Sequence, residues 1–177
     1  VDPNTLTHKA NEELFSTLKH NNKECHLINE PAEDVDVDEH NIRDIADFCF
    51  TSPPYFKKEI YSEEETQSCN RYSDYDAWIR NFLYPMMKLN YDVAKIGGIV
   101  AINIEDVKIK GDLYELVTPT IEAGVNLGLS FIKKETFGLQ PRTILKDGLK
   151  VVHEASESVL FFEKKKIEVD LDVMFSS

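Results

Sequence analysis

Apolar residues along this chain fall either at steps of three or four or in short unbroken blocks. Leu6, Ala10, Leu14 and Leu18 keep the first spacing and predict a helix over roughly 6–20. A longer stripe, Tyr75, Trp78, Phe82, Met86, Leu89, Val93 and Ile96, predicts a second helix. Ser73 would cap it, Pro85 would kink it, and Gly97–Gly98 would end it. A third helix is expected from Asp112 to about Gly124, with Leu113, Leu116, Val117 and Ile121 facing in. The blocks "ECHLINE" (24–30), "DFCFTS" (47–52), "IVAINI" (99–104), "LSFIKKETFG" (129–138) and "ESVLFFEKK" (157–165) read as strands. Those at 47–52 and 99–104 are apolar at nearly every position, as in a parallel sheet buried on both faces. Residues 56–71 are polar, without period or glycine, and read as a mobile excursion. The stretch between the last two strands reads as a loop.

Strands alternating with helices predict an α/β fold with a mostly parallel sheet and an antiparallel C-terminal strand. One domain is expected over residues 1–166, followed by a tail at 167–177 that is either an edge strand or disordered. In such sheets ligands bind at the carboxyl ends of the strands. Asp2 and Ser52–Tyr55 are both expected there, which places them at one site.

Composition fits a globular chain: 177 residues, 42% hydrophobic and 29% charged. No apolar run is long enough to span a membrane, and "VDPNTLTHKA" has no signal-peptide pattern, so no membrane partner and a cytoplasmic location are expected. Net charge of −12 argues against indiscriminate coating of nucleic acid. It leaves room for a local basic face, because Lys57, Lys58, Lys108, Lys110, Lys133, Lys134, Arg142, Lys146 and Lys150 all lie beyond the Pro-Pro loop. Cys25, Cys49 and Cys69 show no paired spacing with one another or with the histidines, so no metal site is expected; Cys25 and Cys49 read as buried free thiols in strands. The acidic run "DVDVDE" lacks the glycine of a calcium loop, with Glu39 in its place, and has Ile45 where the closing Glu belongs.

The most informative stretch is "DFCFTSPPYFKKEIY", 47–61. Two consecutive prolines cannot donate to a ladder, so the strand must stop at Thr51. Beyond Thr51 the chain presents a rigid edge carrying the Ser52 hydroxyl, carbonyls that no ladder uses, and the ring of Tyr55. That set suits a planar group with an exocyclic NH2. The amine hydrogens can bond Ser52 Oγ and the Pro53 carbonyl while Tyr55 stacks on the ring. An aromatic amine is a poor nucleophile because its lone pair is delocalised. Acceptors that draw both hydrogens favour the tetrahedral nitrogen that can attack.

"TSPPY" after an apolar strand resembles motif IV of the S-adenosylmethionine-dependent amino DNA methyltransferases, which modify cytosine at N4 or adenine at N6. The serine version is more typical of the cytosine-N4 enzymes. "VDPNT" resembles motif II, whose acid, here Asp2, would bond the ribose of the methyl donor. "INEPAEDVD" resembles motif III, with Glu33 or Asp34 approaching the donor's adenine. "KIGGIVAINI" resembles the helix–Gly–strand of motif VI, and "SESVLFFEKK" the closing strand. The resemblance covers about Val1 to Lys165.

The resemblance implies a Rossmann-like methyltransferase fold and S-adenosylmethionine as cofactor. It implies double-stranded DNA as partner, with the target base flipped out and held on Tyr55. Ser52, Pro53, Pro54 and Tyr55 would be catalytic, and Asp2, Glu33, Asp34 and Thr51 would bind the donor. Residues 56–71, with Tyr61, Gln67 and Ser68, would lie over the pocket. The family's F-x-G-x-G loop (motif I) is absent: the seven glycines stand at 97, 98, 111, 124, 128, 138 and 148. The first strand is thus expected to be missing from the N-terminus. Two alternatives stay open: a methyltransferase of this fold acting on RNA or a protein amide, and a truncated, non-catalytic binding domain.

Overall fold

The computed structural model describes residues 1–17, 25–59, 63–138, 142–146, 149–153 and 156–166. Helix α1 (Thr5–Thr17) precedes strand β1 (Ala46–Thr51). Two short helices come next, α2 (Ser68–Arg71) and α3 (Tyr75–Trp78), then α4 (Tyr84–Val93) and β2 (Ala94–Asn103). A hairpin of β3 (Val107–Ile109) and β4 (Asp112–Tyr114) leads to α5 (Val117–Asn126) and β5 (Leu129–Gly138). A second hairpin, β6 (Arg142–Lys146) and β7 (Leu149–His153), precedes the closing strand β8 (Ser156–Lys164).

The main sheet has the order β1-β2-β8-β5. β1 lies parallel to β2, with Phe48 opposite Ile99 and Phe50 opposite Ala101. β8 is antiparallel to both of its neighbours, β2 and β5. Three strands therefore run one way and the closing strand is reversed. The α/β expectation holds, with one refinement: β8 is inserted between β2 and β5, so only the β1–β2 ladder is parallel.

One face of this sheet carries the core. Cys49, Val100, Ile102, Leu160 and Phe162 are buried together with Trp78, Leu83, Met86 and Met87 from the helical run. Burial of each large side chain contributes about 1.5–3 kcal/mol. At Gly124 of α5 an added Cβ would lie 2.7 Å from Phe162 Cε1 and 3.1 Å from Met87 Cε. Alanine there gains about 1 kcal/mol of helix propensity but forces a buried ring aside, which costs about 1–3 kcal/mol. Gly124→Ala is therefore expected to be destabilising by about 1 kcal/mol in denaturant unfolding; a raised midpoint would show that α5 has room to move.

The opposite face is open where the sequence predicted burial on both sides: Phe48 and Phe50 are 58% and 59% exposed. α1 likewise forms as expected but buries none of its residues; residues 18–20 of that prediction lie outside the described residues. Residues 25–29 form no strand in the described structure, although the Ile28 carbonyl accepts a backbone bond from Asp2. Cys25 there is exposed, whereas Cys49 is buried as expected.

The long helix is capped by Asp74, one residue after Ser73, with its carboxylate accepting the Ala77 N–H at 3.0 Å. Its break at Pro85 takes the form of a π-helical stretch over Ile79–Leu83. Proline cannot donate back to the preceding turn, and the wider winding accommodates that loss. The helix ends at Val93, so Ile96 falls beyond it and is exposed. The helix expected from Asp112 starts five residues later, at Val117. Lys110 and Gly111, both at positive φ, turn the chain into the β3–β4 hairpin instead, which leaves Leu113 exposed. The expected loop before β8 contains the β6–β7 pairing. The tail at 167–177 lies outside the described residues.

Candidate active site

Stretches far apart in sequence meet around a cavity of about 430 Å³ beside the carboxyl end of β1. Asp2, Glu33, Thr51, Ser52, Pro53 and Pro54 line it. Thr66, Gln67 and Ser68 form another side, and Phe82 and Met86 from the helical run supply apolar wall. Gln67 and Ser68 are buried, as is Cys69. This part of the segment expected to be mobile is packed instead, because Trp78 Nε1 donates to Ser68 Oγ at 3.1 Å within the core. Tyr61 lies outside the described residues.

Asp2 is fixed by local hydrogen bonds. Its Oδ1 accepts the Asn4 N–H at 2.8 Å, and the Asn4 side chain caps α1 by accepting the Thr7 N–H at 2.9 Å. The Asp2 N–H donates to the Ile28 carbonyl, and Asn29 Nδ2 donates to the Asp2 carbonyl. Those two bonds hold the acid beside the Ile28–Asn29 stretch.

Glu33 and Asp34 are held by one cation, Arg71 at the end of α2. Its Nη1 contacts Glu33 Oε1 at 2.8 Å and Asp34 Oδ2 at 2.7 Å, and Nη2 reaches Asp34 Oδ1 at 3.2 Å. The Glu33 side chain is only 3% exposed. Burial raises its pKa, outweighing the opposing pull of its own backbone hydrogen bond and of Arg71. Asp34, 48% exposed, turns to Arg71 and does not line the cavity.

After Thr51 the chain enters Ser52-Pro53-Pro54 and then a tight turn in which the Phe56 N–H bonds the Pro54 carbonyl at 3.0 Å. Phe56 has φ +50, a left-handed backbone uncommon for a bulky residue. Burial offsets that strain: its ring is 2% exposed, with ring centroids of Tyr75, Trp78 and Tyr114 at 5.8, 5.8 and 5.2 Å. Tyr55, 8% exposed, is tucked under the same turn and does not line the cavity. Its hydroxyl is buried without a hydrogen-bond partner among the described residues. Burial pushes its pKa up to about 12; Glu157, Glu59 and Glu105 add to the shift, and the nearby Ser52 hydroxyl opposes it.

Sequence reasoning missed two residues on the other side of Ser52. Asn103, at the end of β2, donates from Nδ2 to Ser52 Oγ at 3.4 Å and to Glu157 Oε2 at 3.0 Å. Glu157 stands near the start of β8, which runs back beside β2. The only available signal was a polar amide closing the apolar block "IVAIN". Arg71 and Phe56 were missed as well, because their roles arise from contacts across the fold.

A DNA methylase family model matches residues 46–174. Among solved structures, a protein assigned as a DNA modification methylase from Thermus thermophilus aligns with TM-score 0.53 and 17% identity, covering 80% of this chain and 53% of that one. A structure of that protein complexed with S-adenosyl-L-methionine aligns with TM-score 0.53 and 16% identity, over 80% of this chain and 56% of that one. A SAM-dependent methyltransferase from Methanosarcina mazei gives TM-score 0.50 and 9% identity, over 93% and 80%. This chain thus spans just over half the length of the Thermus protein. No curated protein matches. At these identities the structural likeness establishes the fold, a Rossmann-like methyltransferase sheet. The family match covers most of the chain, from β1 past the end of β8, and on that match the chain belongs to the amino (N6/N4) DNA methylase family.

Proposed function

We propose that this chain carries the target-amine site, and part of the donor site, of an S-adenosylmethionine-dependent DNA methyltransferase. Its substrate is the exocyclic amine of cytosine (N4) or adenine (N6), in a base flipped from duplex DNA. The observation that carries this reading is the meeting of Asp2, Glu33, Thr51 and Ser52–Pro54 around one cavity at the end of β1. Residues separated by tens of positions come together there.

The donor set fits part of the cofactor. Asp2 spends one oxygen on Asn4 and keeps acceptor capacity for a ribose diol. Ala32 and Glu33 face the cavity where an adenine would lie, against the apolar surface of Phe82 and Met86. Thr51 lies beside them on the strand end. None of the described residues lining the cavity is a cation, so the donor's amino-acid end is not matched here. When bound, the cofactor would supply a methyl group on a sulfonium; its sulfur departs as a neutral thioether in the same displacement that forms the new N–C bond, and the methylated amine then gives up one of its protons to solvent.

This chain's residues prepare that nitrogen. Ser52 Oγ and the Pro53 carbonyl accept the two amine hydrogens and localise its lone pair, while Tyr55, buried under the turn in this structure, must be uncovered for its ring to stack on the base. As the bond forms, the nitrogen becomes positive. Glu157, Glu59 and Glu105, whose combined field already disfavours a tyrosinate at Tyr55, favour that charge. The neighbouring surface suits the DNA backbone. Lys57 and Lys58 on the turn after Tyr55, and Lys108 and Lys110 on the adjoining β3–β4 hairpin, are not buried. Among the described residues none of the four is in an ion pair, whereas Lys88, Lys95, Lys133, Lys134 and Lys164 are. Such unpaired lysines suit phosphate contacts.

The test uses the complete protein that contains this chain and a methyl-labelled donor. Unmethylated duplex DNA, RNA and a protein extract are offered in parallel. Label is expected in the duplex, recovered after digestion as N4-methylcytosine or N6-methyladenine; Ser52 favours the former. Label in RNA or protein alone would overturn the proposal.

A further inference from the structure

We infer that Asn103 and Glu157 form a positioning pair that sets the Ser52 hydroxyl for the target amine; this rests on the function proposed above. A serine hydroxyl has one proton and two lone pairs. To accept an amine hydrogen, Ser52 must keep a lone pair directed at the base and send its own proton elsewhere. Left free, the hydroxyl rotates among staggered positions, and only some of them present that lone pair.

Asn103 removes this freedom. Its amide could in principle turn either its oxygen or its nitrogen toward Ser52. Glu157 decides the matter, because a carboxylate only accepts and the group 3.0 Å from Oε2 must be the NH2. The second hydrogen of that NH2 then points to Ser52 Oγ at 3.4 Å, a long bond open to shortening when the base is engaged. One Ser52 lone pair is thus committed to Asn103. The proton can turn toward the Tyr55 hydroxyl, on which Ser52 already acts and which is buried without a hydrogen-bond partner among the described residues. The remaining lone pair is left for the cavity side, where Ser52 lies in the lining. Among the described residues the Asn103 Oδ1 is buried without a partner, so they hold the amide by its NH2.

Neither Asn103 nor Glu157 lines the donor cavity, so they should affect the chemical step and not donor binding. In the complete protein, Asn103→Ala is expected to lower kcat about tenfold, with donor Kd by calorimetry unchanged within twofold. Glu157→Ala, at the edge of a partly exposed strand start, should give the same signature, which guards against a folding failure of the first variant. Glu157→Gln retains an acceptor for Asn103 and should recover part of the kcat lost in Glu157→Ala, the remainder reflecting the lost charge. The decisive comparison is made in a Ser52→Ala background, where Asn103→Ala should cause no further loss. An undiminished kcat in both alanine variants would overturn the inference. So would an equal extra loss without Ser52, since that places the effect in the fold. Failure of the unsubstituted protein to methylate any exocyclic amine would instead sink the proposed function, a distinct result that removes the basis of this one.

Discussion

Tyr55→Ala is expected to lower methyl transfer to DNA by roughly 5- to 150-fold, the range that 1–3 kcal/mol of base–aromatic stacking implies. Donor affinity should stay within about twofold, because Tyr55 lies off the cavity that Asp2 and Glu33 line. The alanine also removes a ring that is 8% exposed, at a cost of about 3–5 kcal/mol in stability. Unfolding must therefore be measured beside transfer. Tyr55→Phe separates the two effects. It keeps the ring and deletes a hydroxyl buried without a partner among the described residues, so the fold should be at least as stable; because it also removes the acceptor offered to the Ser52 proton, transfer should fall by no more than about tenfold. Alkaline pH gives an independent check. The folded pKa is raised from 10 to about 12, so the stability Tyr55 contributes is complete below pH 10 and is lost as pH rises toward 12. That part of the alkaline loss should vanish in Tyr55→Phe. Equal falls in donor binding and transfer for the alanine variant would make Tyr55 a purely structural residue.

The contrast between Tyr55 and Arg71 shows what the sequence could and could not reveal. Ser52–Tyr55 was legible because the prolines break a strand locally, and a local rule needs no knowledge of the fold. The strands β1, β2, β5 and β8 were legible for the same reason, each being a compact apolar block. Their burial was not: Phe48 and Phe50 look like core residues in a string of letters, and only the placement of α4 and α5 on one face exposes them. The β3–β4 hairpin was hidden because Asp112 to Ile121 also satisfies a helical period, and the left-handed turn at Lys110–Gly111 decided the contest. Asn103, Glu157 and Arg71 act through partners 51, 54 and 38 positions away, distances at which no pattern of spacing speaks.

Arg71→Ala is the second large expected effect. It should destabilise the fold by about 3 kcal/mol at neutral pH and weaken donor binding at least tenfold, an order of magnitude set by the loss of one partner of a buried charge pair. The reason is the asymmetry of its two partners. Asp34 is half exposed and can be solvated when the guanidinium goes, but Glu33, at 3% exposure, cannot. A buried carboxylate stripped of its cation costs about 3–5 kcal/mol if it stays charged. The sign of the pH dependence comes from Glu33. Its pKa is already raised by burial, and loss of Arg71 removes one of the two influences holding it down. Its stabilising contribution is present at acid pH, where the carboxyl is protonated, and is lost as pH rises through the folded pKa. The defect of Arg71→Ala should therefore shrink on acidification. Arg71→Lys should recover little, since one ammonium cannot match the planar fork that holds Glu33 and Asp34 together. Adding Glu33→Gln to Arg71→Ala should recover most of the stability, because a neutral amide needs no counter-charge. Denaturant midpoints of these variants at neutral and acid pH decide it. If the double variant is no more stable than Arg71→Ala alone, Glu33 is not the source of the cost, and Arg71 acts by tethering α2 to the 33–34 loop.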